Sequence, residues 1–414
     1  MRILVVSSWF PWPPTNGSKL RAFHLMTQLA SRGHRITLLS FADASERRLA
    51  TDLRAMCEAV EIVDGNPHKA GAALPPLGLF GRMPRSYATT YSPAMASLVA
   101  SRWRDHDLVL ALQIGAALYL DPRMTRPAVF DEAEVGVVRD GYRNEGDPLR
   151  RARHGLTWWK YGRFIRSLTR IADRTTTVSS VERQHLIDLG CDGERIDEVP
   201  NGVDDRHLQT PAAGVERGAP LIYPGAITYH ANLDGVRHFT ADILPRVLAT
   251  HPDVRLQVTG DTGDVDTHAL SASGSVTFTG HVTMVAPLLR AARLCIVPLR
   301  VGGGTRLKAL ESMAMGTPVV STSKGVEGLA LTPEHDVLIG DDPETFARQV
   351  ARLLDDDTLR ARLSLNGRQT IANRCTWTLV GDALERTVTR ALHEHGPRAM
   401  AVARSGTGSD RGAA

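Results

Sequence analysis

Val297-Pro298-Leu299-Arg300-Val301-Gly302-Gly303-Gly304-Thr305-Arg306-Leu307-Lys308-Ala309-Leu310-Glu311-Ser312-Met313 is the stretch on which the reading turns. An apolar strand ends at Pro298, three glycines follow, and a helix begins. Glycines let the backbone approach a ligand closely. A helix start offers unpaired N–H groups and the positive end of a dipole, which suit phosphate. Thr305, Lys308 and Glu311 recur every three residues and share one broad face. Leu307, Leu310 and Ala314 take the side that faces a core. Lys308 supplies a compact charge for a diphosphate, and Arg306 adds a forked donor. Glu311, one turn deeper, can accept the two hydroxyl hydrogen bonds of a ribose diol. The Gly-x4-Gly-Lys-Ser/Thr spacing of a P-loop is absent. Taken by itself, the loop reads equally as a glycine turn with a solvated Lys–Glu pair.

Outward from this stretch, short apolar runs alternate with helical patterns. Strands are expected at 3–6, 36–40, 60–63, 108–112, 128–130 and 175–178, with helices between them. One helix spans 18–32 and stops at Gly33; another opens at Ser92-Pro93, with proline at its first position. The alternation pauses at the turn-rich Val199-Pro200-Asn201-Gly202-Val203-Asp204 and at Pro211-Ala212-Ala213-Gly214. It restarts with strands at 221–223, 256–259, 276–279, 294–298, 318–321 and 337–339. Alternating strands and helices mean βαβ units and parallel sheets. The fold class is therefore α/β: two doubly wound Rossmann-like domains facing a cleft, with ligands at the carboxyl ends of the strands. The expected domains are 1–200 and 201–375. A helix over 376–396 can cross back to the first domain, and 397–414 is read as a disordered tail.

The chain has 414 residues, ordinary apolar and charged fractions of 43% and 23%, and a net charge of +4. A nucleic-acid binder usually carries more charge, so none is expected as partner. The four cysteines, Cys57, Cys191, Cys295 and Cys375, form no Cys-x-x-Cys pair, which argues against a zinc site or a disulfide framework. No run resembles a cleaved leader or a membrane span. A cytoplasmic protein is expected. Only five lysines stand among the 49 basic residues. They are Lys19, Lys69, Lys160, Lys308 and Lys324, and codon preference explains most of this scarcity.

Several segments together resemble the glycosyltransferases of GT-B fold, in the large retaining family numbered four. They are Pro13-Pro14-Thr15-Asn16-Gly17; Leu29-Ala30-Ser31-Arg32-Gly33-His34-Arg35-Ile36-Thr37; Thr177-Val178-Ser179-Ser180 with the Val199–Asp204 turn; and 296–318. The likeness covers about 1–392 and points to a subgroup with a Gly-Gly-Gly-Thr-Arg-x-Lys loop. It implies transfer of a sugar, with retention, from a nucleoside diphosphate sugar, most simply a UDP-sugar. The acceptor would be a glycan, a lipid-linked glycan or a small molecule. Donor binding would then involve Gly17, Gly225, His281, Gly303, Gly304, Thr305, Arg306, Lys308 and Glu311. Asn16 and Lys19 would meet the acceptor. Asp131 and Glu132, after the strand at 128–130, are the catalytic candidates; Asp131 reads equally as a helix cap. No metal and no cofactor are expected, because Arg306, Lys308 and the helix start can stabilise the leaving diphosphate.

Two departures from the family pattern stand out. The first of the family's paired glutamates would fall on Gly303. The loop after the first strand of the second domain, 224–232, holds neither Arg nor Lys. A non-catalytic nucleotide-sugar-binding protein and a GT-B sugar-nucleotide epimerase are the alternative readings. A phosphorylase finds no lysine in a context that fits its cofactor. Ser179 and Glu182 fit a capping box. Between Leu149 and Ala172 stand Arg150, Arg151, Arg153, Lys160, Arg163, Arg166 and Arg170 with no acidic residue. This basic amphipathic helix is either a solvated face, or a contact through 150–171 with the inner face of a membrane or with an anionic acceptor.

Overall fold

The computed structural model describes residues 1–65, 67, 84–131, 134–209, 221–271 and 274–406. Lys69, Glu132, 210–220 of the expected linker and 407–414 of the expected tail lie outside the described residues. The chain divides into two compact units. One is Met1–Pro200 together with the chain from Val380 onward; the other is Asn201–Leu379.

The first unit holds a seven-stranded parallel sheet. Its strands are β1 (Arg2–Ser7), β2 (Arg35–Ala42), β3 (Ala59–Asp64), β4 (Leu108–Leu112), β5 (Ala128–Asp131), β6 (Arg174–Thr177) and β7 (Ile196–Glu198), in the order β3-β2-β1-β4-β5-β6-β7. Ile3, Leu4, Val5 and Val6 are all buried, as a strand covered on both faces requires. Strand β7 has no counterpart in the sequence reading. Ile196-Asp197-Glu198 is too polar to stand out, and it lies at the sheet edge, where Asp197 accepts from Arg174 Nη2 at 2.6 Å. The helix Gly17–Ser31 is capped by Asn16, whose side chain accepts from Lys19 N at 2.9 Å. The helix Pro93–Arg102 starts on its Ser92 cap.

The second unit repeats the plan with six parallel strands. They are β8 (Leu221–Pro224), β9 (Leu256–Thr259), β10 (Val276–Phe278), β11 (Cys295–Val297), β12 (Val319–Ser321) and β13 (Leu338–Ile339), in the order β10-β9-β8-β11-β12-β13. Each sheet reverses direction of winding next to its first strand, between β1 and β4 and between β8 and β11. Such switch points are where open α/β sheets bind ligands.

The last helix, Trp377–Gly406, is longer than expected and runs through residues read as tail. Along the first unit it is held by polar side-chain contacts: His34 with Glu385 at 2.7 Å, Arg390 with Asp197 at 2.9 Å and His395 with Asp173 at 3.1 Å. All four cysteines are buried and free. Among the described residues, no helix is long and apolar enough to cross a membrane.

Candidate functional site

The glycine loop follows β11, at the switch point of the second sheet. Gly302 and Gly304 have φ of +109° and +72°, a region that side chains rarely adopt. The next helix, Leu307–Ala314, buries Leu310 and Ala314, and this turns Lys308 and Glu311 to the opposite side. Lys308 Nζ donates to Tyr223 Oη and to Asn232 Oδ1, both at 2.7 Å. Tyr223 lies in β8, and Asn232 lies in the following helix, His230–His238. A Cβ on Gly225, whose φ is +151°, would stand 2.9 Å from the ammonium. The loop after β8, which lacks its own cation, thus receives one from Lys308.

Arg306 does something other than expected. Its guanidinium donates to the carbonyls of Gly302, Gly303 and Gly304 and is buried. The guanidinium is thus folded onto its own loop. Because a trans peptide points its N–H opposite to its carbonyl, the N–H groups of Gly303, Gly304 and Thr305 face away from Arg306. Successive amides turned to one side make a nest for an anion. Thr305 Oγ1 accepts from Asn201 Nδ2 at 2.9 Å, which ties the loop to the start of the unit.

The strand-end loops of β8, β9 and β10 meet through glycines. Gly260 N donates to Gly280 O at 2.9 Å, and a Cβ on Gly260 would lie 2.6 Å from Ala226 N. His281 follows Gly280 and is exposed. It stands three strand positions from the glycine loop, or roughly 14 Å at the usual spacing of parallel strands.

Lys308 and Glu311 carry shifted acidities. Burial holds the Lys308 ammonium down to about 7, with Arg306 adding to the push and Glu311 opposing it. Burial pushes the Glu311 carboxyl up to about 7, with Lys308 opposing. Between about 4.5 and 7 the folded protein holds the Glu311 proton more tightly than the unfolded chain, so stability falls as pH rises. Between about 7 and 10.5 the unfolded chain holds the Lys308 proton more tightly, so stability rises with pH. The pair therefore costs the fold most near pH 7. The double variant Lys308→Met/Glu311→Gln is expected to gain most in denaturation midpoint near pH 7 and less on either side. A gain independent of pH would contradict this.

In the first unit, the residues singled out from sequence are mostly spoken for. Asp131, at the end of β5, is fully buried. It accepts from Arg21 Nε at 2.8 Å, from Arg21 Nη2 at 2.7 Å and from Thr176 Oγ1 at 2.6 Å. Arg21 also donates to the carbonyls of Val199 and Pro200, at 2.9 and 3.1 Å. Asp131 is thus neither an accessible catalytic group nor a helix cap; it anchors an internal ion pair. Arg21 gave no signal, since one arginine on an amphipathic helix reads as solvated. Asp131→Ala leaves that guanidinium buried without its counter-charge and is expected to cost roughly 3–5 kcal/mol of stability. Chemical denaturation measures it, and a loss under about 1 kcal/mol would contradict the assignment.

Lys19 is also corrected: its Nζ pairs with Glu46 at 2.7 Å and the residue is buried. Asn16 and Gly17 are exposed at the start of their helix. Ser179 caps its helix by accepting from Glu182 N at 3.3 Å, but the Glu182 carboxylate does not return the bond. It accepts instead from the amides of Val135 at 2.9 Å and Gly136 at 3.1 Å. Among the described residues, no three His, Cys, Asp or Glu side chains are grouped to hold a metal.

Two Rossmann-like parallel sheets with flanking helices give the GT-B fold class. Residues 15–207 match the model described as Glycosyltransferase Family 4, and 219–356 match the one described as Glycosyl transferases group 1. The two matches follow one another along the chain, and both describe glycosyltransferases. Among curated relatives, glycogen synthase of Mycobacterium tuberculosis is 26% identical, over 92% of this chain and 93% of its own length. D-inositol 3-phosphate glycosyltransferase of Salinispora arenicola is 29% identical, over 56% of this chain and 58% of its own. Among solved structures, Anabaena HepE in complex with UDP-glucose aligns with a TM-score of 0.65 at 15% identity, over 94% of this chain and 99% of that one. Sucrose-phosphate synthase of Thermosynechococcus elongatus aligns at 0.66 and 17% identity, over 94% and 98%.

Proposed function

We propose that the protein transfers a sugar, with retention and without a metal, from a UDP-sugar to a glycan, lipid-linked or small-molecule acceptor. The observation that carries this reading is the ammonium of Lys308, delivered beside Gly225 with Glu311 one turn behind it. The diphosphate would lie between Lys308 and the amides of Gly303, Gly304 and Thr305. Glu311 would accept from the ribose hydroxyls. The nucleobase would reach toward His281, since the distance across the strand ends suits a nucleotide. As the bond to the anomeric carbon breaks, the departing diphosphate gains charge, and fixed donors stabilise that charge. Retention needs no base opposite the donor, which agrees with the engagement of Asp131 by Arg21. The acceptor would meet the first unit near Asn16.

A panel of nucleotides and nucleotide sugars in EDTA tests this by thermal shift. Selective binding at about 100 times Kd adds about 2.7 kcal/mol. UDP and one UDP-sugar should raise the melting temperature, and transfer or slow donor hydrolysis should persist in EDTA. No shift with any nucleotide would contradict the reading. The second reading, a non-catalytic binder, draws on Gly303 standing where a carboxylate would meet the sugar. It requires binding with no turnover of any donor.

The helix Pro148–Ile171 supports a peripheral contact with an anionic membrane on the cytoplasmic side. Leu149, Leu156 and Trp159 are exposed at 84%, 48% and 56% amid its arginines, and Arg163 lies 5.1 Å over the Trp159 ring. Apolar groups beside cations suit the boundary of headgroups and acyl chains. Trp159→Glu with Arg163→Glu is expected to abolish co-sedimentation with vesicles containing phosphatidylglycerol. Unchanged co-sedimentation would exclude the contact.

A further inference from the structure

A pocket of about 380 Å³ lies in the first unit, with Arg166, Thr169, Arg170, Cys191, Asp192 and Arg195 in its walls. Arg166 and Arg170 stand near the end of the helix Pro148–Ile171, which leads into β6, and Arg195 directly precedes β7. The pocket therefore opens at the amino ends of the strands, on the edge of the sheet opposite Asp131.

Its walls are strongly cationic. Three arginines and one aspartate line it, and concave walls focus the field of such a cluster. The carboxylate, Asp192, already accepts from Glu194 N at 3.0 Å. Arg195 is fixed by donating to the carbonyls of Asp173 and Ala172. Arg166 bonds only through Nε, to Gly162 O at 3.3 Å, among the described residues. Its Nη1 lies 3.7 Å from the point a Cβ on Gly190 would occupy. Gly190 has φ of +82° where its helix ends, so the missing side chain keeps the wall open beside the guanidinium. The Cys191 thiol, pushed up by burial, is drawn back by a hydrogen bond with Thr169 and by the charges of Arg166 and Arg170. Arg166 and Arg170, one turn apart on their helix, both line the pocket.

We infer that this pocket binds a phosphate group, gripped by Arg166 and Arg170 and backed by the fixed charge of Arg195. Arginine forks match the geometry of phosphate oxygens. The group could belong to a soluble phosphate or to the headgroup of an anionic lipid. Trp159, Arg163, Arg166 and Arg170 follow one another at helical spacing, so the pocket continues the face proposed for membrane contact.

Calorimetric titration of inorganic phosphate into the full chain, saturated with UDP at low salt, tests the site. Millimolar or tighter binding is expected. Arg166→Gln and Arg170→Gln should each weaken it at least about tenfold. Arg166→Lys should weaken it less, and UDP affinity and melting temperature should stay unchanged. In a second arm, vesicles with phosphatidic acid are pelleted with and without free phosphate. Displacement by phosphate assigns the site to a headgroup; phosphate binding without displacement assigns it to a soluble phosphate. Absence of phosphate binding by the wild type, or equal binding by the glutamine variants, overturns the inference. UDP binding in the same samples separates that outcome from failure of the proposed donor site.

Discussion

Lys308→Met is expected to lower donor affinity and turnover by at least about a hundredfold while the protein stays folded. The magnitude follows from what the ammonium does. It stands beside Gly225 in the loop after β8, and fixed donors to a developing anion are worth about 10²–10³ in rate. Tyr223 Oη and Asn232 Oδ1 lose a donor in this variant, but they keep their own bond of 2.9 Å. Burial already holds the Lys308 acidity down to about 7, so an apolar side chain of similar length removes a cost to the fold near neutral pH. Loss of donor binding together with an unchanged or raised melting temperature is the expected pattern. Lys308→Arg should not rescue it, because the space beside Gly225 and Tyr223 fits a compact ammonium and a planar fork is larger. Calorimetry with UDP reads the affinity, and retention of wild-type affinity by Lys308→Met would remove the basis for the site.

Glu311→Gln is expected to have the next largest effect, about 10- to 100-fold on donor affinity. A carboxylate accepts from two hydroxyls, and hydrogen bonds to charged groups contribute roughly 1.5–3 kcal/mol each. The amide keeps one acceptor oxygen and presents a donor where the second acceptor was. A 2′-deoxy donor separates this from a general loss of packing. The wild type should discriminate against it, and Glu311→Gln should discriminate much less. Equal discrimination by both proteins would contradict the assigned role.

The architecture was legible because strands buried on both faces read as continuous apolar runs. Strand β4 falls at Leu108–Leu112, as the run 108–112 indicates. Strand β7 escaped because an edge strand of Ile196-Asp197-Glu198 has no apolar run to see. In the site, spacing along a helix placed Lys308 and Glu311 on one side, away from the core. What spacing cannot give is where a long side chain ends. Lys308 reaches Tyr223 and Asn232, which lie more than seventy positions earlier. Arg306 folds back on its own loop, although its sequence position suits phosphate. Asp131 and Lys19 look available until the tertiary fold supplies Arg21 and Glu46. Charged residues near a strand end are ambiguous for this reason: their partners come from distant segments.

The central claim is that a nucleoside diphosphate is held by Lys308 and Glu311 at the switch point of the second sheet. The structure of a complex with UDP measures this most directly. A phosphate oxygen should lie about 2.7–3.2 Å from Lys308 Nζ, and both ribose hydroxyls should donate to Glu311 at similar distances. A diphosphate bound elsewhere, with Lys308 still bonded to Tyr223 and Asn232 alone, would contradict the claim.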